Sequence, residues 1–188
     1  MVTDGLSARP SCRIDDLSSR IGVYAVVAGT SRPTGRRKRT QTMTISVTSV
    51  SDVTSDLVEA MNRLLPELSS SASPLSAKDL HEIVESPVTV LFIARSDIQT
   101  IVGTLTLVFF RLPSGMRAWI EDVIVGPDAR GLGVGAALCQ TAIRHASESG
   151  AVSIDLTSRP SRVAANQLYQ KLGFQQRETN VYRYTVLR

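Results

Sequence analysis

At 188 residues, with 43% hydrophobic and 20% charged side chains, the chain has the size and balance of an ordinary globular domain with an ample core. No apolar run reaches the length needed to cross a bilayer, and the two cysteines, Cys12 and Cys139, form neither a disulfide framework nor a metal-ligand spacing. The formal charge of +4 is unevenly spread: residues 1–42 carry eight Arg/Lys against three acids, which leaves the remainder at net −1.

Residues 1–42 lack sustained periodicity and read as a basic, disordered N-terminal extension, with one domain occupying residues 43–188. The run Arg36-Arg37-Lys38-Arg39 is not accompanied by aromatic or groove-reading residues, so a solvated tail is preferred to a nucleic-acid surface. Ile21 to Ala28 is apolar, but it follows Asp15-Asp16 and precedes the basic run, the wrong order for a secretory signal. Cysteine usage suits a reducing cytoplasm, and no membrane partner is expected.

From Thr44 the pattern becomes regular. Thr44 to Val50 alternates Thr/Ser with Ile and Val, a half-buried first strand. Ser51-Asp52 offers a helix cap, and Leu57, Met61, Leu64 and Leu65 form a stripe at helical spacing that Pro66 closes. A second short helix carries Leu80, Ile83 and Val84, with Ser76 as its cap and His81 facing outward. Val88 to Arg95 and Thr100 to Leu112 read as strands joined by a polar turn. Pro113-Ser114-Gly115 turns into a third, so an antiparallel meander is expected.

Trp119 to Val125 is apolar and β-branched apart from Glu121 and Asp122, and Gly126-Pro127-Asp128 is turn chemistry. Arg130-Gly131-Leu132-Gly133-Val134-Gly135-Ala136 then opens a helix. Glycines let the backbone approach a ligand, and free N–H groups at a helix start attract an anion, so the stretch reads as a phosphate cradle. Spacing argues against two familiar cradles. A dinucleotide loop places its first Gly directly after the strand, whereas a turn and Arg130 intervene here; a P-loop needs a Gly-Lys-Ser/Thr ending that is absent.

The helix after Gly135 is expected to bury Leu138, Cys139, Ala142, Ile143 and Ala146, to expose Arg144 and His145, and to end at Gly150. Ala151 to Leu156 is a short strand. Arg162 to Leu172 is a helix with the stripe Ala165, Leu168, Tyr169, Leu172, stopped by Gly173. Phe174 to Val186 is final strand material.

Two motifs now combine. Arg130-x-x-Gly133-x-Gly135 after a strand and turn, followed by Leu168-Tyr169-Gln170-Lys171-Leu172-Gly173-Phe174, resembles the GNAT N-acetyltransferase superfamily from Met43 to about Thr185. The resemblance implies an α/β (α+β) fold: a mixed, mostly antiparallel sheet of six to seven strands flanked by about four helices. It implies an acyltransferase that moves an acetyl group from acetyl-CoA directly to a primary amine in a ternary complex, with no metal. Val123, Ile124 and Val125 would offer edge backbone groups to the pantetheine, and Arg130, Gly131, Leu132, Gly133, Val134, Gly135 and Ala136 would hold the pyrophosphate.

The resemblance assigns Tyr169 the proton for the departing thiolate, although its place on an apolar stripe also suits a core tyrosine. Glu121 and Asp122 are the candidate bases for the amine, with a water chain as the alternative. Strict strand alternation would point only one of them into the amine site. Two positions depart from the family pattern: Arg162 stands where an Asn is common, Asn166 not being its equivalent, and Thr157 stands where some relatives carry a Glu. A non-catalytic acyl-CoA-binding sensor on the same fold is the competing function, and a homodimer is left open.

Overall fold

The structure is a computed structural model that describes residues 24–30, 41–69 and 71–186. The chain divides into two compact units, Met1–Thr157 and Ser158–Arg188.

In the first unit, segments rich in β-branched residues pair in chain order. Strands β1 (Tyr24–Thr30), β2 (Gln41–Ser49), β3 (Thr89–Arg95), β4 (Ile101–Leu112), β5 (Gly115–Val125) and β6 (Ile154–Leu156) form one six-stranded sheet, ordered β1-β2-β3-β4-β5-β6. Pairings from β1 to β5 are antiparallel, and β5 with β6 is parallel. A parallel pair needs a long crossover, which α3 (Val134–Glu148) supplies. Helices α1 (Ser55–Leu64) and α2 (Ala77–Val84) lie between β2 and β3 in the chain. The mixed, mostly antiparallel sheet expected from the sequence is present.

Helices cover both faces of this sheet. On one, Leu91, Ile93, Ile101 and Ile124 join Leu57, Ala60, Met61 and Leu64 of α1 and Leu80 of α2 in a single buried cluster. On the other lies α3, with Phe92 and Phe109 meeting His145, and Gly103 facing Val134 and Leu138.

The inner stripe of α3 is Val134, Ala137, Leu138, Thr141, Ala142, His145 and Ala146. His145, expected to face outward, is therefore buried, its ring edge-on to Phe92 at 5.5 Å between centroids. Its position, two turns beyond Leu138, outweighs its polarity. Ile143, expected inside, is half-buried.

The sheet also starts earlier than expected. β1 lies within the segment read as an extension, and β2 begins ahead of Met43. The rest of that segment, residues 1–23 and 31–40 with the Arg36–Arg39 run, lies outside the described residues. Ser51 and Asp52 stop short of α1, whose N-cap is Thr54.

The second unit contains α4 (Val163–Lys171). Gly173 ends it in left-handed backbone, φ 94°, with Gly173 N–H donating to Gln170 and Phe174 N–H to Tyr169, both at 3.0 Å. This is a Schellman stop, and the apolar contact that accompanies one is Phe174 against Tyr169, 6.0 Å between centroids. The Leu-Gly-Phe of the sequence motif is thus a helix terminator. Phe174 to Val186, expected as a last strand, forms no strand: its β-branched and aromatic residues favour extended backbone, but no ladder pairs it among the described residues.

Candidate functional site

The site grows out of an irregularity in β5. Thr106 stands opposite Glu121 and Thr104 opposite Ile124, so Asp122 and Val123 together oppose Leu105 alone. That extra residue is a β-bulge, and Asp122 takes it up in left-handed backbone, φ 49°. The bulge shifts the phase of the strand. Ile120, opposite Leu107, faces α3, whereas Ile124 belongs to the α1–α2 cluster. Strict alternation, which would have turned one acid away, fails here, and both Glu121 and Asp122 are exposed.

Their surroundings differ. Trp119, two residues before Glu121 and on the same face, donates its indole Nε1–H to Glu121 Oε1 at 2.8 Å. Asp122 reaches solvent, yet the protein around it displaces enough water to push its carboxyl above the ordinary carboxylate range.

β6 pairs only with Ala118–Ile120, so β5 runs on from Glu121 to Val125 with no strand on that side among the described residues. Within this stretch Val123 and Val125 are half-exposed and Ile124 is buried. The Val125 carbonyl accepts from Arg130 Nε at 3.3 Å, and Arg130 Nη2 pairs with Glu67. The guanidinium thus ties the glycine-rich turn to the segment that follows α1.

Beyond a short turn at Pro127–Ala129, Gly131 and Gly133 adopt φ of 76° and 82°, a conformation that favours glycine. A side-chain carbon added at Gly131 would meet nothing within 4 Å, so open space lies beside it. Gly133 is the N-cap of α3, and no side chain caps that end. The first N–H groups of α3, on Val134, Gly135 and Ala136, have no acceptor within the helix. The amides of Arg130 and Leu132 turn inward instead, to Pro127 and Ala129. By contrast, α2 is doubly capped: Ser76 Oγ accepts from the Asp79 amide, and the Asp79 carboxylate accepts from the Ser76 amide at 2.7 Å. The bare end of α3 combines aligned N–H groups with the positive end of a helix dipole, an environment suited to an anion.

A family model described as "Acetyltransferase (GNAT) family" matches residues 56–174, more than half of the chain. The chain belongs to that family.

This GNAT chain shares a stretch of 61 residues, 36% identical, with an uncharacterized N-acetyltransferase of Methanocaldococcus jannaschii. The stretch spans 32% of this chain and 27% of that relative's length. An acetyltransferase of Trypanosoma brucei is similar in structure, with a TM-score of 0.62 and 26% identity over 75% of this chain and 99% of the other. An aminoglycoside acetyltransferase from an uncultured soil metagenomic sample, solved with sisomicin, has a TM-score of 0.68 over 77% and 97% of the two chains. At 17% identity that likeness is one of fold.

Tyr169, Asn166 and Arg162 lie in the second unit. Tyr169 is half-buried on α4, against Phe174. Asn166 donates its side-chain amide to the Arg159 carbonyl at 3.0 Å, and Arg162 is the N-cap of α4, so both help shape the entry to the helix. Among the described residues, no helix is long and apolar enough to cross a membrane.

Two features escaped the sequence reading. Gly103 lies where a side-chain carbon would stand 2.9 Å from the Ile124 carbonyl oxygen and 3.0 Å from Val134. A glycine inside a strand is itself a sign of close approach, so that signal was present. The indole bond of Trp119 carried no such sign.

Proposed function

We propose that this GNAT chain is an N-acetyltransferase that moves an acetyl group from acetyl-CoA directly to a primary amine of a small molecule or peptide. The observation that carries this reading is the uncapped start of α3, reached through two left-handed glycines from the end of β5 that has no strand on its β6 side among the described residues. The fit to a pyrophosphate rests on three features: open space at Gly131, amide donors on Gly131, Gly133, Val134, Gly135 and Ala136, and the helix dipole. Leu132 and Arg130 contribute by fixing the turn, since their amides point elsewhere. Val123, Ile124 and Val125 offer backbone groups along the open side of β5.

Acetyl-CoA supplies the acyl group and a thiol leaving group. The chain must then accept a proton from the amine and deliver one to sulfur. Glu121 and Asp122 are the acceptors of the first. The Tyr169 hydroxyl provides the second, as a hydrogen-bond donor that can pass its proton to the sulfur. Residues 43–188 are the acetyltransferase domain in this reading.

Titration with acetyl-CoA and with NAD, followed by thiol-release assays over amino acids, polyamines, aminoglycosides and peptides, tests it. Binding of acetyl-CoA with thiol release for at least one amine is expected. Tight NAD binding without CoA binding would overturn the fold-based reading of the cradle. Acetyl-CoA binding with no transfer to any amine would identify a sensor.

A further inference from the structure

We infer that Trp119 is a positioning residue for Glu121, its indole N–H fixing one carboxylate oxygen so that the other meets the acceptor amine; this rests on the reading above. A glutamate at the exposed edge of a sheet ordinarily samples several rotamers, and holding it still costs side-chain entropy. Here that cost is met within the strand. Trp119 and Glu121 are two residues apart on one face, and their side chains meet at 2.8 Å through Nε1–H and Oε1. The indole is itself held. It is half-buried in the paired part of β5, with Val108 opposite on β4 and Asp155 alongside on β6.

The bulge explains why the brace is needed at this point. Immediately after Glu121 the backbone leaves regular strand geometry at Asp122, and the β6 ladder has ended at Ile120. Glu121 is therefore the last residue of β5 in regular pairing with β4 before the irregular turn, and its backbone alone does not fix its carboxylate. The indole is a donor only, with no acceptor to offer in return. It occupies Oε1 and leaves Oε2 to take the amine's hydrogen.

Trp119 is the single tryptophan of the chain, so one indole N–H resonance reports this bond. Glu121→Gln replaces a charged acceptor by a neutral one and is expected to shift that resonance, because hydrogen bonds to ionised acceptors are shorter and stronger. Turnover is then compared in the thiol-release assay, with the amine of the panel that reacts fastest. Trp119→Phe is expected to lower kcat by up to about 100-fold, the scale of a misplaced reacting group, with the acetyl-CoA KM unchanged. The double variant Trp119→Phe/Glu121→Gln is expected to be no slower than Glu121→Gln alone, since the indole acts through Glu121.

Full kcat in Trp119→Phe, or two losses that multiply in the double variant, overturns the inference while leaving the acetyltransferase reading intact. Wild-type turnover in Glu121→Gln removes Glu121 from the reaction, and the inference with it. If wild type releases no thiol with any amine, the proposed function fails independently. An indole resonance unmoved by Glu121→Gln then excludes the bond itself.

Discussion

Gly103 of β4 lies directly under the carbonyl of Ile124 in β5: a side-chain carbon there would stand 2.9 Å from that oxygen. The same carbon would press on Val134 at 3.0 Å and Leu138 at 3.2 Å, the first two turns of α3. Gly103→Ala therefore strikes the bulged strand and the start of the cradle helix together. Overpacking by one methyl at such a site costs about 1–3 kcal/mol. A lower Tm is expected together with weaker acetyl-CoA binding, because α3 must move to make room. Calorimetry beside a binding titration checks this, and a variant as stable as wild type would show that the neighbours yield freely.

Gly133 tests the cradle more directly. Its φ of 82° suits glycine, and Gly133→Val places a β-branched side chain in left-handed backbone at the mouth of the helix. The strain costs about 1–2 kcal/mol, a modest fall in Tm. Acetyl-CoA affinity should drop by more than tenfold, roughly 1.4 kcal/mol or above. Equal affinity for acetyl-CoA in the variant and wild type would mean that the pyrophosphate lies elsewhere.

Asp122 gives a pH signature. Desolvation raises its carboxyl above the ordinary value of 3.8, so the folded chain holds this proton to higher pH than the unfolded chain. The contribution to stability is full below the ordinary value and is lost as pH rises through the raised one. Asp122→Asn has no charge to desolvate and tolerates left-handed backbone, so its Tm relative to wild type should be higher at pH 7 than at pH 3. Asp122→Ala also removes the charge but pays about 1 kcal/mol or more for φ 49° at every pH. Identical pH dependence in Asp122→Asn and wild type would contradict the shift.

Tyr169 separates chemistry from packing. Its ring closes the end of α4 against Phe174, a role that Tyr169→Phe preserves. If the hydroxyl gives its proton to the leaving thiolate, turnover should fall roughly 10²–10⁴-fold with little change in Tm. If the hydroxyl only satisfies a buried partner, stability should fall by about 1 kcal/mol while turnover holds. A thiol-release assay and a melting curve on this one variant decide between them.

The order of the central elements was legible because each carries its own local signal. Alternating Thr and Ile announces β2, Ser76 announces the start of α2, and Gly150 and Gly173 mark the ends of α3 and α4. What was not legible depends on partners distant in the chain. His145 is polar but occupies a position between Phe92 and Phe109 that only the packed sheet defines. The strand β1 has no alternation of its own and is specified by pairing with β2. The two acids of β5 were found by type, but their common exposure follows from one unpaired residue opposite Leu105, and no periodicity announces a bulge.

That bulge makes the pairing of β5 matter more than its composition. Straightening the pleat with every residue kept would bring Asp122 opposite Leu105 and Val123 opposite Thr104, and Ile124 would rotate out of the α1–α2 cluster toward α3. Straightening it by removing Asp122 would leave Ile124 opposite Thr104. Many apolar substitutions at Ile124 keep that core filled, but loss of the bulge with the length unchanged empties it in one step. The hairpin at Pro113-Ser114 can lengthen or shorten without such a penalty. Descendants of this sequence are free to drift in residue identity along β5, and can shed the bulge and its extra residue together, but neither without the other.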